Sequence, residues 1–262
     1  MRATSGRERV VRAAVVVAML ALLVLAISLA PGAPRWSLAW ERRGVFASGL
    51  ALTAAISLGA LTLGLVLGAA AGLARMSRSA ALDQAAVTYV EFVRGTPFLI
   101  QLYVVYYCVA TSLHLHDAFG DAEPIVVGIA GLGVFAGAYI AEIVRAGIES
   151  IDRGQWEAAR SLGLSHRQTL MRVVLPQAVR RMIPPLAGEA VSLVKESSIL
   201  SVISVAEVTY HARNVAGETY QSFAIYVPLA ALYLLVTLPL SWLTRRLERR
   251  LAPPPQLPVS KL

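Results

Sequence analysis

"EAARSLGLSHRQTLMRVVLP", Glu157 to Pro176, is a polar, arginine-bearing stretch with long apolar runs on both sides. Asp152 is placed to cap a helix that starts near Arg153, and Glu157 lies in its first turns, where the helix dipole favours an anion. Gly163 is the expected stop, because glycine adopts the left-handed C-terminal conformation without strain. Ser165 and Gln168 then have the spacing of a capping box for a second helix. That helix carries an apolar stripe at Leu170, Val173, Val174, Val179, Met182 and Ile183. Pro176 is expected to kink it, and Pro184–Pro185 to end it. The expectation is a helical hairpin, 149–183, between two membrane spans. Two sets of caps and a buried stripe are more than a connection needs, and they point to a docking element.

The surroundings make this a membrane chain. Of its 262 residues, 56% are hydrophobic and only 15% charged, too few to cover the surface of a soluble domain of that length. A net charge of +8 first suggests nucleic acid, but the charges fall between apolar runs instead of forming one basic face. They therefore serve orientation in a bilayer, with lipid as partner and no nucleic acid. The single cysteine, Cys108, excludes disulfides within the chain and Cys-based metal sites.

A helix needs about 20 apolar residues to cross a bilayer core. Six candidates reach or approach that length: 13–30, 45–74, 97–113, 124–146, 186–208 and 224–243. The first follows Arg2, Arg7, Arg9 and Arg12 and is read as a retained anchor in preference to a signal peptide. The fifth is the weakest, because it holds Glu189, Lys195 and Glu196. Lys and Arg concentrate at the N-terminus, in 75–94, in the hairpin and in the tail, which places both termini and the hairpin in the cytoplasm. Three segments, 31–44, "HLHDAFGDAE" and "HARNVAGETYQS", are expected as outer loops, and the tail 252–262 as disordered. Gly64, Gly68 and Gly72 share one helix face, and Gly133 and Gly137 repeat the pattern; either a tight intrachain contact or a subunit interface would explain them.

Charges within spans are expensive and face a bundle interior or cavity. Glu142 with Arg145, and Glu91 with Arg94, have helix-face spacing for ion pairs. Pro97 after Gly95 and Thr96 breaks the helix and makes "RGTP" a shaped turn. Glu189, Lys195 and Glu196 lie deeper and offer a cation for a cargo carboxylate and acceptors for its ammonium; Glu142 is a further candidate on the path. Tyr106 and Tyr107 are candidates for the path or for an interfacial belt. His114, His116 and Asp117 are too few for a metal centre, so none is assigned. The chain has two lysines, and neither follows a phosphate-binding glycine loop, so it does not itself bind ATP in that way. The spans contain no Asp and no catalytic Ser–His or zinc motif, which argues against an intramembrane enzyme; no cofactor is expected.

The quoted stretch also resembles the EAA loop of importer-type ABC transporter permeases: EAA, three residues, glycine, nine residues, an aliphatic, one residue, then Leu-Pro. Val173 stands where isoleucine is usual. "YVEFVRGTPFLIQLYVVYY", "AYIAEIVRAGIESIDRGQWEAA" and "LPQAVRRMIPPLAGEAVSLVKESSI" are similar to the polar amino acid permease branch. "KESSI" departs conservatively from that branch's usual pattern. The resemblance implies an all-α integral membrane protein of about six transmembrane helices: the five-helix type I importer core plus one N-terminal helix. It divides the chain into an arm, anchor and outer loop at 1–44, a permease domain at 45–251, and the tail. It further implies that Glu157, Ala158, Ala159 and Gly163, with Leu175 and Pro176 closing the motif, contact a separate ATPase. Glu91, Arg94, Gly95, Thr96 and Pro97 would be structural hallmarks. Two ATPases, a second permease, identical or related, and an external binding protein would complete an importer of a polar amino acid in the bacterial inner membrane. The competing expectation is a self-sufficient secondary transporter or channel, which inverted repeats with broken helices would favour.

Overall fold

The computed structural model describes residues 33–251, residue 78 excepted, together with isolated positions between 11 and 28. The anchor candidate 13–30, as an element, and the tail 252–262 lie outside the described residues. Among the described residues every regular element is a helix.

Two helices form the centre, α2 (Arg43–Ala74, after the short α1, Ser37–Glu41) and α6 (Glu123–Glu149, after the short α5, Leu115–Phe119). Their contact runs through the glycine row. A Cβ on Gly64 would lie 3.0 Å from Ala136 Cβ, one on Gly68 2.5 Å from Ile140 Cβ, and one on Gly72 2.6 Å from Val144 Cβ. Each contact steps four residues along both helices in the same direction, so α2 and α6 are parallel and in contact at backbone distance. This settles the glycines as an intrachain contact. Both helices end on one side, from which the hairpin projects; that side is the hairpin end, and the opposite one the far end.

Parallel neighbours require the chain to return between them, and α3 (Ala80–Gly95) and α4 (Phe98–Ala110) do this as a pair bent by 102°. Thr96 is extended, as a residue before proline prefers, and Pro97 starts the new direction. Gln101 fills the break: the two hydrogens of its Nε2 are shared among Val93 O at 2.6 Å, Thr96 Oγ1 at 2.8 Å and Thr96 O at 2.9 Å. The "RGTP" turn is therefore present, and the segment expected as a span at 97–113 is helical as α4, the second half of this bent pair. The segment 75–94, expected as a polar connection, is largely α3. Its buried Ala86, Val90 and Val93 and the bond from Tyr89 OH to Val134 O (2.6 Å) hold it against the bundle.

The expected span 186–208 is interrupted within its length. Helix α9 (Leu175–Glu196) continues through Pro184–Pro185 instead of ending there. Each proline removes one backbone donor, but buried Ala178 and Met182, the latter against Gly147 of α6, fix the helix before the break in its ladder. After Glu196 the chain tightens into a 3₁₀ stretch, Ser197–Ile203, and Ser204 turns left-handed at φ 65°. Helix α10 (Val208–Thr219) then occupies most of the expected outer loop 211–222, burying Val208, Ala212, Val215 and Ala216, a one-sided stripe. Helix α11 (Ser222–Leu251) returns from the far end to the hairpin end and takes in the terminal arginines. Three helices, α2, α6 and α11, are long and apolar enough to cross a membrane, and a fourth span results if α3–α4 counts as one. Neither α9 nor α10 passes alone: the first carries the charges, the second is short.

Adding a single methyl group at Gly68 tests the central contact. Gly68→Ala is expected to cost about 1–3 kcal/mol through overpacking, read as a lower melting midpoint in detergent. Gly44→Ala, where a Cβ meets nothing within 4 Å, is expected to leave that midpoint unchanged.

Candidate functional site

The hairpin is built as its caps dictate. Asp152 accepts from Gly154 N at 2.7 Å to start α7 (Arg153–Ser161), and Gly163 ends it at φ 80°. Ser165 Oγ accepts from Gln168 N (3.3 Å) while Gln168 Oε1 accepts from Ser165 N (2.9 Å), the reciprocal box that opens α8 (His166–Thr169). A π-helical stretch, Leu170–Val174, leads from α8 directly into α9, and Pro176, which has no backbone donor, follows immediately on this widened turn. The ring of His166 stacks on Trp156, centroids 5.3 Å apart, closing the two helices on each other.

The hairpin is tied to the bundle at its base. Gln177 Nε2 donates to Gln155 Oε1 at 3.3 Å, and Arg181 donates to both the carbonyl and the hydroxyl of Ser150, the latter at 3.1 Å. Ile151, Val174 and Ala178 are buried beneath it in the main core. The base of the hairpin is therefore joined to both the end of α6 and the start of α9.

The motif residues divide by exposure. Glu157, Ala158, Gly163 and Pro176 are exposed, Leu175 is half-buried, and Ala159 is buried inside the hairpin. The surface thus comes from the first two motif positions and the turn, while Ala159 packs internally. Leu162, not singled out from the sequence, is 83% exposed at the tip. Its signal was available: a leucine immediately before the helix-ending glycine has no core to enter.

At the hairpin end of α6, Glu142 gathers arginines from three helices. It pairs with Arg75 at the end of α2, with Arg145 on its own helix (2.9 Å), and with Arg94 of α3 (3.9 Å). Arg145 also pairs with Glu149. The expected Glu91–Arg94 pair is not formed, because Arg94 turns to Glu142 and lies over the Tyr139 ring, 5.2 Å from its centroid. Glu91 instead lines a cavity of about 370 Å³ with Arg75, Arg94, Gly95 and Glu142. A larger cavity of about 670 Å³ opens nearby between α6, α9 and α11, with Arg94, Arg180, Arg181, Glu142, Glu189 and Glu248 on its walls. Glu142 is thus committed to arginines, and of the candidate path residues only Glu189 joins it at the cavity.

Lys195 and Glu196 lie further along α9, at the mid-bundle break. Lys195 is exposed, the two make no ion pair with each other, and Glu196 Oε2 is buried without a hydrogen-bond partner. Tyr106 and Tyr107 pack edge to face, centroids 5.0 Å apart. His116 Nδ1 lies 3.2 Å from Glu123 Oε2, and no group of three metal-ligating side chains occurs among the described residues. A carboxyl group overlooked in the sequence, Glu207, is fully buried at the start of α10.

A family model described as "Binding-protein-dependent transport system inner membrane component" matches residues 60–253, from within α2 through the hairpin to the end of α11. The glutamine transport system permease protein GlnP of Escherichia coli (strain K12) is 36% identical over 218 residues, which cover 82% of this chain and 97% of that protein. The L-cystine transport system permease protein TcyB of Bacillus subtilis (strain 168) is 35% identical over 209 residues, 79% of this chain and 86% of that one. A solved structure described as an amino acid ABC transporter with histidines superposes with a TM-score of 0.74 at 36% identity, covering 80% of this chain and 95% of its own.

Removing the shared acid leaves the arginines facing one another. Glu142→Gln is expected to destabilise the fold by about 2 kcal/mol, the scale of a lost hydrogen bond to a charged group. In a cycle with Arg145→Gln the two effects are expected to fall short of additivity by about 1 kcal/mol, measured by denaturant titration in detergent.

Proposed function

This chain belongs to the family of inner-membrane components of binding-protein-dependent transport systems, and we propose that it carries a polar amino acid across the membrane, driven by a separate ATPase that docks on the hairpin 149–183. The observation that carries the docking is the tip: Leu162 is 83% exposed on a hairpin whose base is bonded into α6 and α9. An unpartnered leucine among Glu157, Ala158 and Gly163 is apolar surface that a partner's groove takes out of water. The hairpin end then faces the cytoplasm, in keeping with the arginines at that end of α11.

Two copies of the ATPase, a second permease and an external binding protein complete the transporter, with 45–251 of this chain as the permease domain. Closure of the ATPases pushes the hairpin, and α9 carries that displacement to the break at 197–207. There the bundle switches between two access states as a rigid-body change. The amino-acid cargo is supported by the relatives, named for glutamine and cystine transport. Lys195 takes the cargo carboxylate, and Glu196, whose Oε2 is buried without a partner, takes the ammonium. Family membership sets aside the self-sufficient secondary transporter.

Leu162→Glu tests the docking without touching the core. The variant is expected to insert and fold as the parent does, yet to retain at least about tenfold less ATPase through purification, the scale of a hot-spot loss, and to lose ATP-driven uptake of labelled amino acid in proteoliposomes. Retention and uptake equal to the parent's would overturn the assignment.

A further inference from the structure

The far end carries a small core of its own, distinct from the main one. Leu38 of α1, Val208, Ala212 and Val215 of α10, and Ile225 and Leu229 of α11 form it. This lobe rests on one face of α2. A Cβ on Gly49 would lie 2.8 Å from both His211 Cδ2 and Val208 Cα, so the first turn of α10 sits directly on the α2 backbone. One turn further along α2, Thr53 is fully buried, and its hydroxyl accepts from Val208 N at 3.3 Å.

Glu207 binds this junction together. Its Oε1 accepts from Tyr210 N at 2.7 Å, capping α10. Its Oε2 receives the hydroxyls of Thr53 on α2 and Tyr233 on α11, each at 3.4 Å, and Tyr233 shares a further 2.8 Å bond with Thr209. Among the described residues Glu207 forms no ion pair. A buried carboxyl group without a cation is costly unless hydrogen bonds satisfy it, and an apolar side chain here would leave Tyr210 N and the two hydroxyls without this acceptor. The three bonds join α10, α2 and α11 at one point. The neighbouring connection, the 3₁₀ stretch and left-handed Ser204, is the irregular part of the backbone; α11 bears Pro239 between the lobe and the hairpin end. The lobe is therefore seated on the bundle through this polar node together with the Gly49 contact and the Arg42–Glu218 pair.

We propose that Glu207 is the positioning residue that seats the far-end lobe on α2 and thereby fixes the shape of the mid-bundle break. Its hydrogen-bonding capacity is what matters, so glutamine substitutes for it: the amide oxygen still caps α10, and the amide nitrogen donates to the Thr53 or Tyr233 oxygen. The consequence for transport rests on the function proposed above, whereas the seating does not.

The test is a distance between spin labels at Tyr220→Cys, a position 91% exposed at the end of α10, and Leu113→Cys, exposed in the segment after α4, in a Cys108→Ser background. Pulsed dipolar measurements on the purified chain need no ATPase, binding protein or cargo, so failure of the transport reading leaves them valid. Glu207→Ala is expected to broaden or shift the distribution, and Glu207→Gln to restore the parent's. If Glu207→Ala yields no folded protein, Tyr233→Phe and Thr53→Val decide, both with broadened distributions expected. A parental distribution in the alanine variant, or in both substitutes, overturns the proposal, as does a glutamine variant as broad as alanine. In the assembled transporter Glu207→Ala is expected to raise ATP hydrolysis without binding protein several-fold while Glu207→Gln does not, a readout that simple loss of stability would not give.

Discussion

The backbone-distance contact between α2 and α6 sets the rest of the structure. Gly64, Gly68 and Gly72 admit Ala136, Ile140 and Val144 at distances that leave no room for a methyl group. In lipid there is no hydrophobic drive between helices, so close packing and interhelical hydrogen bonds supply the association. Because the two helices are parallel, the chain must come back between them, and it does so through the bent pair α3–α4. Because both end on the same side, Arg75, Arg94 and Arg145 converge on Glu142, and the hairpin leaves the bundle there. The packing constraint thus selects the place from which the hairpin projects.

From that place the structure is mechanically continuous. The hairpin is closed by the Trp156–His166 stack and bonded at its base through Gln155, Gln177, Ser150 and Arg181. Helix α9 runs uninterrupted from the hairpin to Glu196, past the cavity at Glu189 to the point where regular helix stops. Irregular backbone at mid-bundle is tolerated in a membrane only where protein or a water-filled cavity covers it, and Ser197–Ser204 has the main core around it. Beyond it Glu207 fastens the lobe. Hairpin, α9, irregular break and lobe thus follow one another along the chain from the hairpin end to the far end.

What the sequence revealed and what it hid follow from the range of the interactions. The hairpin was legible residue by residue, since Asp152, Gly163, Ser165 and Gln168 act within three or four positions of themselves. The glycine row was legible as a close contact, but its partner was not, because spacing on one helix carries no information about the other. The break at Gly95–Pro97 was legible from proline; Gln101, which satisfies it, was not, because its three acceptors lie across the bend. Pro184–Pro185 looked like a stop, and packing on α6 overrode them. Helix α10 reads as a loop in the sequence because its apolar stripe is short and interleaved with polar residues. Glu207 went unremarked because its partners, Thr53 and Tyr233, are distant in the chain.

The most direct measurement is of how hairpin motion reaches the far end. One permease subunit in the reconstituted transporter would carry fluorophore pairs at 161–179 and, separately, at 161–220, read before and after trapping with a nonhydrolysable nucleotide. The hairpin and the start of α9 move as one piece, so the first distance is predicted to stay constant while the second changes as the break switches. A change confined to 161–179, with 161–220 fixed, would contradict that continuity and place the moving joint at the hairpin's own base.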